Sequence, residues 1–183
     1  MDHLLTHIFD TYPVALIPFI SKRPVFPSDL TEGVSMYVVY LMLVALLVTA
    51  CHVFFWNTPW LATLLLWLLV IKVGLGGIWA FMGHYFQGER VAAYIGWPAG
   101  NPFQKEVAFS NLALGISGVL CFFFRDEFWL ATIVFASVFL LGAFSVHLKE
   151  QRETANNNPG NAGPVFFVDL ISPLVLWGLF LAH

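Results

Sequence analysis

Five apolar stretches dominate this chain: residues 34–56, 60–86, 107–124, 128–146 and 165–182. Each reaches or approaches the roughly 20 apolar residues that a helix needs to cross hydrocarbon, where nothing but the chain itself can satisfy backbone N–H and C=O groups. Only Asn57-Thr58-Pro59 separates the first two stretches, and only Arg125-Asp126-Glu127 separates the third and fourth. Links that short predict antiparallel helical hairpins. The composition agrees, with 59% hydrophobic and 10% charged residues, against about 25% charged in an ordinary soluble domain. The expected fold class is an all-α integral membrane protein with five transmembrane helices in a bundle, formed by residues 34–183.

Other classes fall away on charge and motif. A net charge of −3 with 8 Lys and Arg lacks the basic footprint of a nucleic-acid binder. Cys51 and Cys121 sit inside apolar stretches and form no CxxC pair. There is no phosphate loop, dinucleotide fingerprint or nucleophile elbow, so kinase, Rossmann and thiol-oxidoreductase chemistry is not expected.

The basic residues set the orientation. If the N-terminus is cytoplasmic, then Lys22, Arg23, Arg90, Lys105, Lys149 and Arg152 all lie inside, and Arg125 alone lies outside. The positive-inside rule then predicts an N-in, C-out protein of the cytoplasmic membrane. Asp2, where a basic residue would be needed, and the interrupting Pro18 read against a secretory signal. Residues 1–33 are expected to form an interfacial segment, with 3–19 along the inner interface and breaks at Pro24 and Pro27.

In this topology the second helix ends, the third begins, the fourth ends and the fifth begins on the inner side. The polar residues concentrate there: His84, then Glu106 and Asn111, then His147 and Glu150, and finally Asp169. Two unusual inner loops join them. Residues 87–105 carry Ile95-Gly96-Trp97-Pro98-Ala99-Gly100-Asn101-Pro102-Phe103-Gln104, too interrupted for one helix and too apolar for a solvated loop. A re-entrant or interfacial inner loop is expected there. Residues 151–164 hold Asn156-Asn157-Asn158-Pro159-Gly160-Asn161-Ala162-Gly163-Pro164, a composition suited to consecutive turns.

Gly83-His84, the run from Ile95 through Lys105-Glu106-Val107, Asn111-Leu112-Ala113, His147, Gly160-Asn161-Ala162-Gly163-Pro164 and Asp169 together resemble a family of small prokaryotic multi-pass membrane proteins of unknown function. The resemblance spans roughly residues 70–180. Val146 stands where the family usually has Gly, and Asn101 where it usually has Ser. The resemblance implies a multi-helix inner-membrane protein and implies no activity.

The polar residues invite a metal-site reading, because helical bundles build carboxylate–histidine centres from facing helices. His84, His147, Glu106, Glu150 and Asp169 are the expected ligands. A transition metal (Fe, Zn or Mn) is the cofactor such donors suit. The plainer reading is that the histidines bond loop carbonyls, Glu150 is solvated, and the carboxylates pair with Arg90 or Lys105. Asp169 and Glu106 are the expected catalytic acid–base groups. Asp169 lies four residues before Pro173, which leaves its carbonyl without the usual helical donor; alternatively it tethers the preceding loop.

Lys72 stands in the middle of the second stretch, where a charge costs about 2.5–3.5 kcal/mol on insertion scales and so faces protein or water. No carboxylate is expected at its depth. Gly74, Gly76 and Gly77, and the stripe Asn111, Gly115 and Gly118, suit close helix approach. Lys72, Asn111, Trp97 and Asn161 are expected to line a substrate site or path.

Three functions stay open. One is a membrane enzyme acting on a lipid-soluble or small amphipathic substrate. Another is a small transporter or channel using Lys72 and Asp169, which five helices would serve only as a homo-oligomer. The third is an accessory subunit of a larger membrane complex. Membrane lipid is the expected partner in all three, and nucleic acid in none.

Overall fold

The computed structural model describes residues 33–183, all helix and connecting turns. The expected interfacial segment at residues 1–33 lies almost wholly outside the described residues. Helix α1 is Gly33–Trp56. Helix α2 is Trp60–Phe86, and its central turns, Leu68–Leu75, are wound as a π-helix. Next come α3 (Gly88–Ile95), α4 (Phe103–Leu120), α5 (Glu127–Thr154), the single turn α6 (Pro159–Ala162) and α7 (Pro164–Ala182). Of these, α1, α2, α5 and the α6–α7 unit are long and apolar enough to cross a membrane.

The fifth expected span needs correction. The sequence predicts a crossing helix over 107–124, but the helix found there starts earlier, at Phe103, and ends at Leu120. Gln104, Lys105, Glu106, Ser110 and Asn111 fall within it. These polar turns leave α4 short of the hydropathy of the other four.

What holds α4 in place is backbone contact with α2. A Cβ added at Gly77 would lie 2.7 Å from the Asn111 carbonyl oxygen and 2.8 Å from Gly115 Cα. One added at Gly118 would lie 2.6 Å from Gly74 Cα. Small residues permit this approach, and in a bilayer such packing replaces the hydrophobic drive that lipid removes. The expected glycine stripes are therefore the two faces of one crossing. The apolar core lies beside it, with Leu65, Leu69, Ile133 and Leu176 almost fully buried. Trp177 Nε1 donates to Ser137 Oγ at 3.1 Å, joining α7 to α5.

The hairpin tips are aromatic. Phe54, Phe55, Trp56 and Trp60 are exposed at the α1–α2 turn, and Phe122, Phe123 and Phe124 at the α4–α5 turn. Such girdles mark the depth of a membrane interface.

Replacing Gly118 by Leu should lower the thermal midpoint of the detergent-purified protein by the equivalent of about 1–3 kcal/mol of overpacking. Gly178→Leu, where an added Cβ meets nothing within 4 Å, should leave it unchanged. Equal midpoints for the two variants would contradict the glycine crossing.

Candidate functional site

The helix ends expected on one side do converge. Together with α3 they enclose a cavity of about 840 Å³. His84 comes from the end of α2, Asn111 from α4, His147 from α5 and Asp169 from α7. Tyr37 of α1 closes the ring.

The loop 87–105 is only partly irregular, because α3 occupies Gly88–Ile95. Its spacing is amphipathic, with Ala92 and Ile95 buried and Glu89 exposed. The helix stops at Gly96, whose φ of +86° is left-handed. Glycine is required at this position for space as well, since a side chain there would strike the amides of Asn156 and Asn158.

Those amides tie the two loops together. Asn156 Nδ2 donates to the Ile95 carbonyl at 3.0 Å, while its Oδ1 accepts from Asn158 N at 3.1 Å and Asn158 Nδ2 at 2.7 Å. Asn161 is completely buried. Its Nδ2 donates to the Asn156 and His147 carbonyls at 2.9 and 3.3 Å, and its backbone carbonyl accepts from Gln151 Nε2 at 3.1 Å. With Nδ2 spent on two carbonyls, Oδ1 faces His147 Nδ1 at 2.7 Å. An amide oxygen only accepts, so Nδ1 carries the proton and Nε2 is the nitrogen left for other chemistry. Asn161, which the sequence places on a substrate path, is the residue that fixes the orientation and tautomer of His147.

Trp97, expected to line the site, does line the cavity. Its indole stacks on the His147 ring at 5.3 Å between centroids, with the planes 17° apart. His84 is held differently. Gln104 Nε2 donates to the Gly88 carbonyl at 2.7 Å and lies 3.5 Å from His84 Nδ1. The two histidines face one cavity.

The expected five-ligand metal set is not assembled. Glu106 is exposed on the first turn of α4, and only its backbone carbonyl is engaged, by Ser110. Glu150 meets Thr154 Oγ1 at 3.4 Å. Neither lines the cavity. Of the expected catalytic pair, Asp169 lines the cavity and Glu106 does not. Among the described residues no three His, Cys, Asp or Glu side chains gather as a metal centre. The i,i+3 spacing of His147 and Glu150 puts them on one broad face, but His147 turns inward to Asn161 and Glu150 does not follow.

Among the described residues Asp169 is the one carboxylate on the cavity wall, and it is 5% exposed. Nothing among the described hydrogen bonds tethers it to the loop before it. Lys72, expected to lack a partner at its depth, interacts electrostatically with Asp169, although no ion pair within 4.0 Å forms between them. Asn111 Nδ2 is spent on the Val107 carbonyl at 2.9 Å. Tyr37, Gln87, Arg90 and Tyr94 also line the cavity. Gln87 and Tyr94 escape sequence reasoning, and Arg90 enters it only as a partner for the carboxylates, because the stretch around α3 reads as loop; its i,i+3 and i,i+4 apolar spacing is the signal that could have placed them.

A helical multi-pass membrane protein whose cavity wall includes His84, His147 and Asp169 is therefore defined. The chain belongs to a family of unknown function, DUF6790, whose model matches residues 35–183. The match takes in α1, beyond the resemblance at residues 70–180. No curated protein and no solved structure matches the chain.

Two outcomes follow from the site geometry. Asn161→Ala removes the side-chain bonds to His147 and to two buried carbonyls. It should cost about 1–3 kcal/mol in thermal or denaturant unfolding, with a change in Trp97 fluorescence. Lys72→Met and Asp169→Asn should each destabilise, while the double variant recovers about 0.5–3 kcal/mol relative to the sum. Strict additivity in that cycle would show that the two charges do not interact.

Proposed function

We propose that this chain is an N-in, C-out protein of a prokaryotic cytoplasmic membrane that binds a lipid-soluble or small amphipathic molecule in the cavity at the inner ends of its helices. One observation carries the reading: a cavity of about 840 Å³, within the roughly 300–1,000 Å³ usual for small-molecule sites, with few polar groups set in an apolar wall. Val138, Leu140 and Val146 supply apolar wall from α5, and Val91 from α3. His84, His147 and Asp169 supply the polar contacts. α4 counts as the fifth crossing helix on this reading, because its apolar half packs backbone to backbone against α2.

His147 is the acid–base group of choice, since Asn161 leaves Nε2 for the bound molecule. Asp169 is the second. A site of hydrogen-bonding and acid–base groups fits the donor geometry better than a metal centre, for which Glu106 and Glu150 are out of place. Transport is the second reading, favoured by the Lys72–Asp169 interaction, which links the cavity wall to the π-wound middle of α2.

Organic extraction of the purified protein followed by mass spectrometry tests the proposal. Wild type should release one class of amphiphile near one per chain. Ala143→Trp, which puts bulk onto the cavity wall, should release little of it while keeping a similar thermal midpoint. Equal yields from the two would overturn the reading. Elemental analysis of the same samples should find no stoichiometric metal; Fe, Zn or Mn that is lost in His84→Ala/His147→Ala would put a metal centre in its place.

A further inference from the structure

Two buried donors on the cavity wall lack acceptors among the described residues. Gln87 Nε2 and Trp97 Nε1 have no hydrogen-bond partner among the described residues, and both residues line the cavity. Buried donors are nearly always satisfied, so each such exception calls for a partner. Their assignments are firm on chemical grounds. Arg90 Nη1 donates to Gln87 Oε1 at 3.0 Å; a guanidinium cannot accept, so the oxygen faces Arg90 and the NH₂ faces elsewhere. The indole nitrogen of Trp97 only donates, and stacking on His147 holds the ring in place.

The guanidinium of Arg90 also lies on this wall, bound to the same glutamine. His84 adds a further donor, because its Nδ1 faces the Gln104 amide and its Nε2 then carries the ring proton. Among the described residues the cavity thus presents several donors, with the Arg90 guanidinium beside them, set against an otherwise apolar wall. Among the described residues its one carboxylate is Asp169, on α7.

We infer that the polar part of the cavity takes the carboxylate of a single-chain amphiphile, a long-chain fatty acid anion, whose head accepts from Gln87 Nε2 and Trp97 Nε1 beside Arg90 and whose chain lies along Val138 and Leu140. The inference rests on the binding reading above and names its ligand. A carboxylate has about four lone-pair sites and fits several converging donors. A hydroxyl head, uncharged and with a proton of its own to place, would satisfy fewer of them. The cavity volume suits one acyl chain; a two-chain phospholipid offers the same acceptor chemistry but a larger body.

Native mass spectrometry of the full chain in a non-ionic detergent tests this with three probes: hexadecanoate, hexadecanol and phosphatidylglycerol. Hexadecanoate should bind at one per chain and about tenfold or more tighter than hexadecanol, as charge-assisted hydrogen bonds would give. Trp97→Phe keeps the stacked ring and loses only the donor; Gln87→Met keeps the shape and loses the amide. Either variant, and Arg90→Gln, should weaken acid binding more than alcohol binding and so bring the two affinities together. Equal binding of acid and alcohol by wild type, or a preference that survives in all three variants, would overturn the carboxylate assignment and leave the cavity reading standing. Tighter binding of phosphatidylglycerol would overturn the single-chain ligand. Binding of neither hexadecanoate nor hexadecanol, or binding of both undiminished in Ala143→Trp, would overturn the cavity reading itself.

Discussion

The backbone contact between α2 and α4 organises the rest of the molecule. Gly74 and Gly77 on one helix and Gly115 and Gly118 on the other bring the two axes so close that main chain meets main chain. In lipid, association cannot draw on burying apolar surface from water, so tight van der Waals packing carries it. The contact does more than hold two helices. It lets α4, whose first turns carry Gln104, Lys105 and Glu106, lie along a largely apolar neighbour, and it sets His84 and Asn111 at one end of the pair. Without it the polar end of α4 would have no fixed relation to the cavity.

The second constraint is polar and sits at the cavity's rim. Asn156, Asn158 and Asn161 convert two irregular loops into one unit by satisfying backbone carbonyls from α3 and α5. Irregular backbone near hydrocarbon survives only when such partners exist. The same amides orient His147, and Trp97 locks its ring from the face. Stability and site chemistry therefore share residues here: the bond that keeps Asn161 buried also decides which nitrogen of His147 is available.

The cavity combines groups of unlike character. Its walls are apolar enough to hold a chain, its donors come from three helices and the loop between them, and its carboxylate interacts with a lysine placed deep in α2. That lysine lies in the π-wound turns of α2, a conformation frequent at functional sites. An intramembrane charge is held against an insertion penalty, so Lys72, half-buried, and Asp169, buried, both sit in protein rather than facing lipid.

The membrane class, the two hairpins and the glycine faces can all be read from the chain, because each depends on local spacing: runs of about 20 apolar residues, three-residue links, glycines at helical intervals. That His84, His147 and Asp169 would share one end is also legible, since topology alone places helix ends. Their fine arrangement is not. Glu106 and Glu150 sit at the right ends, yet they turn away from the cavity, and a one-dimensional pattern does not record side-chain direction at a helix terminus. The α3 helix hides within a Gly- and Pro-rich stretch, and the burial of Asp169 on the cavity wall follows from nothing in its sequence position. Local physics determined which segments enter the membrane and which faces pack; only the folded bundle, by bringing residues from distant helices together in a low-dielectric interior, decided which polar groups meet.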